Sequence, residues 1–377
     1  MQQNHMHEHQ HEHFAPGTPI PAPYMSWAKH RAPAKLDLAA SNLLGCDLDD
    51  LEGAREALSL DGANPDGYPP LVDAIAAHYG VDASRVMTAS GCSGANLLAI
   101  AASVEAGDDV LMEKPYYDPL IGTARLVGAE VRCFDRRFED GYRLDLDEMR
   151  RAMTPRTKLI ILTNPHNPSG VVLDDESIRA AAAVAAEHGA ALLVDEVYLD
   201  IVNILAEGRR HTPAALLAPN AISTSSLTKS YGLNALRCGW AIASPGVAER
   251  IRRARDVVDG IGPVPIERLS ALAFAQMDRL SDRARGLVEM NLGVFRLWAA
   301  GVKSLSLAAP AGSTVVFPRV EGVADTRVMA ELLLREHDVA VVPGHFFGEP
   351  RNIRISLAGR PNVLRDGLAK LAAFLQH

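Results

Sequence analysis

The sequence predicts an α/β protein with a large domain, in which a mostly parallel seven-stranded sheet lies between helices, and a smaller α+β domain. Three observations support this fold class. The chain has 377 residues, of which 48% are hydrophobic, so it can bury a large core and is long enough for two domains. Strand-like and helix-like segments alternate from Arg85 to Ala243. After Ser244 helical patterns dominate, and a short mixed pattern comes after them.

Residues 1–35 differ in composition from the rest of the chain. Five histidines alternate with Glu, Gln and Met between His5 and His13, and a Pro-rich stretch comes next. A metal-binding tract is one interpretation of this pattern. We predict instead a flexible His/Pro-rich N-terminal arm, because the segment has too few apolar residues to join a core. The remainder is predicted to form a large domain, 46–250, and a small domain built from 36–45 and 251–377.

Seven short apolar runs are the predicted strands of the large sheet. They show no alternation of apolar and polar residues, which is typical of strands covered on both faces. The clearest helix lies in DDESIRAAAAVAAEHG, where Asp174 can cap the N-terminus and Gly189 can end the helix. The predicted strands are 85–88, 110–113, 130–134, 159–163, 191–194, 221–224 and 239–243.

The C-terminal part of the chain is predicted to be a smaller α+β unit. Pro245 begins an Arg-rich helix, and helical patterns continue to about residue 300. Short strands are then predicted in the segments TVVFPRV, VAVVPG and NIRISL, with a helix near 326–336 between the first two. A final helix is expected to end at His377.

Charge, cysteine content and hydropathy exclude several classes of protein. The net charge is −8, from 38 Lys and Arg against 46 Asp and Glu, whereas proteins that bind nucleic acid usually present a basic surface. The four cysteines form no CxxC pair, so neither a zinc site nor a disulfide framework is expected. The N-terminus lacks the apolar core of a signal peptide, and the most apolar run, 95–104, is too short to span a bilayer. We expect a cytoplasmic protein with no nucleic-acid, metal or membrane partner.

Small residues follow the first predicted strand of the sheet, in the segment Ser90-Gly91-Cys92-Ser93-Gly94. Small side chains at the start of a helix let a ligand approach the backbone, and the free amides there favour an anion such as phosphate. A tight turn between a strand and a helix would give the same pattern. The segment matches neither the dinucleotide-binding nor the P-loop motif.

Polar residues follow three further strands. NPHNPSG comes directly after 159–163, where its prolines and glycine favour a rigid loop that presents Asn167. Asp195 directly follows the strand 191–194, and a buried carboxylate there needs a cationic or hydrogen-bonding partner. Lys229 follows 221–224 among Ser and Thr residues, a setting in which burial would make its amine nucleophilic. A structural carboxylate is the alternative interpretation of Asp195.

Three blocks of sequence occur in a fixed order, namely NPHNPSG, VDEVY and SLTKSYGLNALRCG. In these blocks the chain resembles the class I and II aminotransferases, which are pyridoxal-phosphate (PLP) enzymes of fold type I. The resemblance extends over about residues 40–377. It implies PLP as cofactor, an amino acid and a 2-oxo acid as substrates, and a homodimer with active sites at the subunit interface.

The resemblance also implies roles for individual residues. Lys229 would hold PLP as an internal aldimine and then act as general base. Asp195 would pair with the ring nitrogen, and Asn167 and Tyr198 would hydrogen-bond the phenolic oxygen of the ring. Tyr117 would stack on the ring. The groups implied to bind the phosphate are the amides of Cys92 and Ser93, the hydroxyls of Ser93 and Ser226, and the guanidinium of Arg237.

The same resemblance implies substrate-binding residues. Arg354, in NIRIS, would bind the substrate α-carboxylate, and Asn42 and Asn167 would line the substrate pocket. A strand arginine paired with a nearby acid is the alternative for Arg354. Many relatives carry a tyrosine that reaches the phosphate of the partner subunit, but here Gly62 stands at that position and Tyr68 is out of register.

The motifs predict the cofactor more closely than the reaction. Transamination of an L-α-amino acid is the first hypothesis. A carbon–sulfur β-lyase is an alternative, because such lyases often share NPHNP, although we expect no special role for His166. A tailoring enzyme of secondary metabolism, similar to the capreomycidine-forming synthases, is a second alternative, since these share PHNPSG and the altered region before the helix that begins near Pro70.

Overall fold

The computed structural model of this protein describes residues 22–208, 210–309 and 312–376. The His-rich tract considered above as a metal-binding segment lies outside these residues. The strands are β1 (Leu36–Asp37), β2 (Val86–Ser90), β3 (Asp109–Lys114), β4 (Glu130–Asp135), β5 (Thr157–Thr163), β6 (Ala191–Asp195), β7 (Ala221–Ser226), β8 (Cys238–Ile242), β9 (Leu305–Ser306), β10 (Val315–Val316), β11 (Arg319–Val320), β12 (Val339–Ala340), β13 (Val342–Pro343) and β14 (Ile353–Ser356).

The helices alternate with the strands in the first two thirds of the chain and dominate after β8. They are α1 (Pro23–His30), α2 (Ala54–Ala57), α3 (Pro69–Tyr79), α4 (Gly91–Ala101), α5 (Asp118–Leu126), α6 (Leu146–Ala152), α7 (Asp175–Glu187), α8 (Leu199–Leu205), α9 (Ala214–Leu217), α10 (Leu227–Tyr231), α11 (Pro245–Val258), α12 (Val264–Phe274), α13 (Met277–Ala299), α14 (Arg327–His337) and α15 (Pro361–Phe374).

A seven-stranded sheet forms the centre of the molecule, with the strand order β2-β8-β7-β6-β5-β3-β4. Only β8 runs antiparallel to its neighbours β7 and β2, and the other pairs are parallel. Each strand lies within two residues of its predicted bounds. The predicted α/β fold with a mostly parallel sheet is therefore confirmed.

Strand β5, in the interior of the sheet, explains why the sequence shows no alternation of apolar and polar residues. Leu159 and Ile161 are fully buried in a cluster with side chains of α4 and α5. Ile160 and Leu162 are fully buried on the opposite face, in a cluster with side chains of α7. Because helices cover both faces of the sheet, every position of the strand favours an apolar residue.

Helix α7 begins and ends where the sequence predicted. Oδ1 of Asp174 accepts a hydrogen bond of 2.8 Å from the amide of Ser177, as an N-cap residue does. Gly189 comes after the helix with a φ of +68°, a left-handed conformation that glycine adopts without strain. The last helix, α15, ends at Phe374, earlier than the predicted end at His377, which is outside the described residues.

The short strands of the C-terminal part form small sheets. β10, β14 and β13 make one antiparallel sheet, and β1 pairs with β12 in parallel. The second pairing joins residues 36–37 to the C-terminal part of the chain. None of the helices in the described ranges has both the length and the apolar character needed to cross a membrane.

Part of the predicted flexible arm, 1–35, is helical. In α1, Tyr24 is buried, and its amide donates a hydrogen bond of 2.9 Å to Oδ2 of Asp118 at the start of α5. Tyr24 and Trp27 pack on Phe346, with ring centroids 6.1 and 5.4 Å away. The composition of the arm concealed this short aromatic helix, because the contacts that hold it are with residues distant in sequence.

Candidate active site

A cavity of about 710 Å³ opens at the C-terminal edge of the main sheet. Its wall brings together residues that the sequence singled out on separate segments. Arg354 contacts three residues of this wall, Tyr24, Ala39 and Asn167, but does not itself line the cavity. The predicted residues in the wall are Asn42, Cys92, Ser93, Tyr117, Asn167, Asp195, Tyr198, Ser226, Lys229 and Arg237.

The sheet topology explains why these residues meet. β5, β6 and β7 are neighbouring parallel strands, so their carboxyl ends lie at one edge of the sheet. Asn167 comes after β5, Asp195 ends β6 and Ser226 ends β7. The loops after the strands therefore converge on one cavity, as expected for an open α/β sheet.

Lys229 lies in the short helix α10, and its amine points at the N-terminal segment of the chain. Nζ donates hydrogen bonds of 2.9 Å to Oγ of Ser41 and 2.5 Å to Oδ1 of Asn42. Burial, followed by the nearby positive charge of Arg354, lowers the pKa of Lys229 to about 7. A large fraction of the amine is therefore neutral at physiological pH, which is the nucleophilic form.

Asp195 is buried and receives hydrogen bonds on both carboxylate oxygens. Oδ2 accepts from Nδ2 of Asn96 at 2.8 Å, and Oδ1 accepts from Sγ of Cys92 at 3.3 Å and from the amide of Val197 at 3.2 Å. Burial raises the pKa of this carboxyl. Among the described residues no side-chain cation forms an ion pair with Asp195, so a cationic N–H of a ligand would complete its environment.

The N-terminus of α4 and Arg237 lie against each other. A Cβ atom on Gly91 would be 2.2 Å from Nη2 of Arg237, so only glycine permits this approach. The amide of Gly91 donates a hydrogen bond of 2.7 Å to the carbonyl of Arg237. Cys92 and Ser93 form the first turn of α4 beside the guanidinium. Free helix amides and a guanidinium together suit a phosphate group.

Arg354, on β14, is only 1% exposed. Nη1 donates to Oδ1 of Asn167 at 3.1 Å, and Nη2 donates to the hydroxyl of Tyr24 at 2.5 Å and to the carbonyl of Ala39 at 3.1 Å. Nε has no hydrogen-bond partner among the described residues. No acidic side chain of the described residues forms an ion pair with Arg354, so a carboxylate ligand would supply the missing negative charge.

His166 connects two loops of the site and is not placed to act as an acid or base. Nε2 lies 2.8 Å from the carbonyl of Pro115, which can only accept, so Nε2 carries the proton. Nδ1 then accepts from the hydroxyl of Ser169 at 2.6 Å. Burial, followed by the charge of Arg136, lowers the pKa of His166 to about 4. A neutral histidine thus ties the loop before Tyr117 to the loop that carries Asn167.

Sequence reasoning assigned no hydrogen-bonding role to four residues of the site. Ser41 contacts Lys229, Tyr24 contacts Arg354, and Asn96 contacts both Asp195 and Thr224. One signal was available, because Asn96 is a polar residue in an apolar helix and lies four residues after Cys92, on the same helix face. No local pattern distinguishes the other three residues.

Comparison with known proteins gives a consistent result. The family model described as aminotransferase class I and II matches residues 49–371. Capreomycidine synthase of Streptomyces vinaceus is 31% identical over 367 residues, which are 93% of this chain and 92% of that protein. A PLP-dependent aminotransferase from Streptococcus suis superposes with a TM-score of 0.87 at 27% identity, covering 95% of this chain and 98% of that one. The PLP-dependent cyclase OrfR gives a TM-score of 0.83 at 26% identity, with 97% and 99% covered.

The chain belongs to the class I and II aminotransferases. The family is PLP-dependent, so this enzyme uses PLP, as the resemblance implied. The residues present fit that cofactor, because the hydroxyls of Tyr198 and Thr228, both in the cavity wall, are buried and have no hydrogen-bond partner among the described residues. With Asp195 and Arg237, they offer groups for the polar atoms of PLP.

Proposed function

We propose that this aminotransferase transfers the amino group of an L-α-amino acid to a 2-oxo acid, with Lys229 as the lysine that attaches PLP. The observation that carries the proposal is the amine of Lys229, which faces the same cavity as the buried Asp195 and has a pKa lowered to about 7. In its neutral form this amine would attach PLP and would accept the Cα proton of the substrate.

Each polar group of PLP would have a partner in the cavity wall. The ring nitrogen would pair with Asp195, the phenolic oxygen would accept from Asn167 and Tyr198, and the ring would lie against Tyr117. The bound cofactor supplies an electron sink for the pair left at Cα. The groups proposed to hold the phosphate are the amides of Cys92 and Ser93, the hydroxyls of Ser93 and Ser226, and the guanidinium of Arg237.

The substrate would be held by its α-carboxylate. Arg354 would bind it, and the hydrogen bond from Nη1 to Asn167 fixes the orientation of the guanidinium. Asn42 would contact the substrate beside Lys229, since its side chain already lies 2.5 Å from Nζ. This arrangement would orient the substrate toward the amine that removes the proton. Helix α1 contributes Tyr24, Met25 and Trp27 to the wall and would exclude water from the reacting atoms.

A second candidate function is PLP-dependent cyclisation of an amino acid. The similarity to the PLP-dependent cyclase OrfR favours it, and the 31% identity to the capreomycidine synthase favours the broader alternative of a tailoring enzyme. Both reactions would begin with the same proton transfer to Lys229 and differ in their later steps. No feature of the described residues separately favours a carbon–sulfur lyase, which remains a prediction from the sequence.

A spectroscopic experiment separates these functions. The purified enzyme is saturated with PLP, and amino acids are added one at a time without a 2-oxo acid. Transamination predicts stoichiometric conversion of the bound cofactor to its pyridoxamine form with certain amino acids. Release of ammonia and pyruvate would indicate a lyase, and a cyclic product with PLP regenerated would indicate a cyclase. Lys229→Ala, which retains the cavity, is the inactive control in every case.

We further propose a homodimer of two-domain subunits with the domain limits given above and a cytoplasmic location. Exposed apolar side chains support the dimer: Leu60 is 95% exposed and Val257 is 87% exposed, and Leu58, Val258 and Ile261 are also exposed. Sedimentation of the wild type and of the double variant Leu60→Asp, Val257→Asp tests this. The dimer predicts that the variant sediments as a monomer, and equal sedimentation of both proteins would contradict it.

A further inference from the structure

A chain of hydrogen bonds crosses from β7 through α4 to the end of β6, beneath the cavity. The hydroxyl of Thr224 donates to Oδ1 of Asn96 at 2.6 Å, and Nδ2 of Asn96 donates to Oδ2 of Asp195 at 2.8 Å. All three side chains are buried. The chain joins three separate elements of the structure at the carboxylate that we propose as the partner of the ring nitrogen.

Asp195 and Thr224 together fix the orientation of the Asn96 amide. A carboxylate can only accept, so the amide nitrogen lies toward Asp195 and the amide oxygen, on the opposite side, accepts from the hydroxyl of Thr224. If the amide were reversed, its oxygen would face the carboxylate and two acceptors would be opposed without a proton between them. The amide of Asn96 is therefore a directed donor rather than a group that can turn freely.

This donor opposes the effect of burial on Asp195. Burial disfavours the charged form of the carboxyl, and the largest opposing contribution is the hydrogen bond from Asn96. The thiol of Cys92 and the amide of Val197 both bind the other oxygen, Oδ1. Asn96 is thus the side chain that holds Oδ2, and with these contacts the plane of the carboxylate is fixed.

We propose that Asn96, oriented by Thr224, is a positioning residue that keeps Asp195 ionised and directed at the ring nitrogen of PLP. The inference rests on the proposed role of Asp195. This role differs from a purely structural one, because loss of a structural asparagine would weaken the binding of PLP and of its analogues equally. Loss of this donor weakens the binding only of those cofactors that carry a ring nitrogen.

The test compares PLP with an analogue in which a C–H group replaces the ring nitrogen. The dissociation constants of PLP and of the analogue are measured by absorbance for the wild type and for each variant. The readout is the dissociation constant of the analogue divided by that of PLP. Asn96→Ala is expected to lower this ratio about tenfold or more, because a hydrogen bond to a charged group is lost. Thr224→Val keeps the side-chain shape and is expected to lower the ratio about threefold.

A matched control is Asn291→Ala. Asn291 is also buried, and its Nδ2 donates to the carbonyls of Leu357 and Gly359, so its loss damages the fold away from the cavity. The ratio should then equal that of the wild type. If Asn96→Ala does not fold, the ratio measured for the shape-conserving Thr224→Val tests the proposal in its place.

Two results would overturn the inference, and they have different meanings. If Asp195→Ala abolishes the discrimination while the Asn96 and Thr224 variants retain the wild-type ratio, the two residues do not act through Asp195, and the proposed function stands. If Asp195→Ala itself leaves the ratio unchanged, Asp195 is not the partner of the ring nitrogen, and that part of the proposed function fails with the inference.

Discussion

The hydroxyl of Tyr24 lies 2.5 Å from Nη2 of Arg354, so helix α1 covers the guanidinium that we propose as the carboxylate clamp. The ring of Tyr24 also lies over that guanidinium, with Cζ of Arg354 4.9 Å from the ring centroid. The carbonyl of Ala39 accepts the second hydrogen of Nη2. A substrate carboxylate can therefore reach Nη2 only if one of these partners moves.

Tyr24→Phe removes the hydroxyl and leaves the ring in place. Nη2 then has a free hydrogen in the absence of substrate, so we expect amino acids to bind about tenfold more tightly, as for a hydrogen bond to a charged group. The measurement is the dissociation constant of an amino acid, followed by the absorbance of the bound cofactor.

Tyr142→Phe is the control for Tyr24→Phe. Tyr142 belongs to the same aromatic cluster, but its hydroxyl accepts from Asn352 rather than from Arg354. This variant should bind amino acids like the wild type. Weaker binding by Tyr24→Phe would contradict the prediction and would mean that the hydroxyl remains as a ligand of the carboxylate.

The rate at which the apoprotein attaches PLP should depend on the protonation of Lys229. Because the pKa of Lys229 is lowered to about 7, the amine is protonated below that pH and neutral above it. We expect the rate to rise through about pH 7 and to level off about one pH unit higher, where nearly all of the amine is neutral. Absorbance after rapid mixing with PLP measures the rate, and a midpoint near the ordinary lysine pKa of about 10 would contradict the lowered pKa.

Arg354→Gln should move that midpoint upward. After burial, the charge of Arg354 makes the largest contribution to the lowered pKa of Lys229, so its removal makes the ammonium form more stable. Arg335→Gln is the control, because Arg335 lies on α14 and pairs with Glu336 away from the cavity. An unchanged midpoint in Arg354→Gln would show that burial alone sets the pKa.

Asp118 links helix α1 to the pH dependence of stability. Burial raises the pKa of Asp118 from 3.8 to about 6, although the carboxylate accepts a hydrogen bond from the amide of Tyr24. A carboxyl whose pKa is raised on folding favours the folded state at low pH, and this contribution is lost as the pH rises from about 4 to 6. Asp118→Asn should therefore raise the melting temperature at pH 8 and leave it almost unchanged at pH 4.

Asp174→Asn is the control of opposite sign. Hydrogen bonds from Ser177 lower the pKa of Asp174, so its contribution to stability is present at neutral pH and is lost as the pH falls. The two variants should change the melting temperature at pH 8 in opposite directions. The same change in both variants would contradict the account of Asp118.

His166→Gln should affect stability without altering the pH dependence of the reaction. The side chain loses one or both of its bonds to Pro115 and Ser169, which corresponds to about 1–3 kcal/mol of the free energy of unfolding. The pH–rate profile should keep its shape between about pH 6 and 9, since the pKa of His166 is about 4 and the ring is neutral throughout this range. Loss of a titration near the ordinary histidine pKa of about 6.5 would instead give His166 a role in proton transfer.

The sequence predicted the elements whose signals are local. The seven strands were recognisable because both faces of the sheet are covered, and Asp195 and Lys229 stood out as polar residues after buried strands. The cavity therefore contains most of the predicted residues, although their individual roles are still proposals.

The residues that sequence reasoning missed act through contacts distant in the chain. Tyr24 and Arg354 are 330 positions apart, and Asn96 and Thr224 are 128 apart. The composition of the N-terminal arm gave no indication that α1 would cover the site. Asn96 was visible only as an unusual residue in an apolar helix, and its partners became apparent only when the sheet placed β6 beside β7.

The most direct test of the proposed active site is to locate the lysine that carries the cofactor. The enzyme is saturated with PLP, treated with borohydride to make the linkage permanent, digested, and analysed by peptide mass spectrometry. We expect the pyridoxyl group on Lys229 alone and on no peptide of Lys229→Ala. A label on another lysine, or an unlabelled Lys229 in a protein that retains PLP, would contradict the proposed active site.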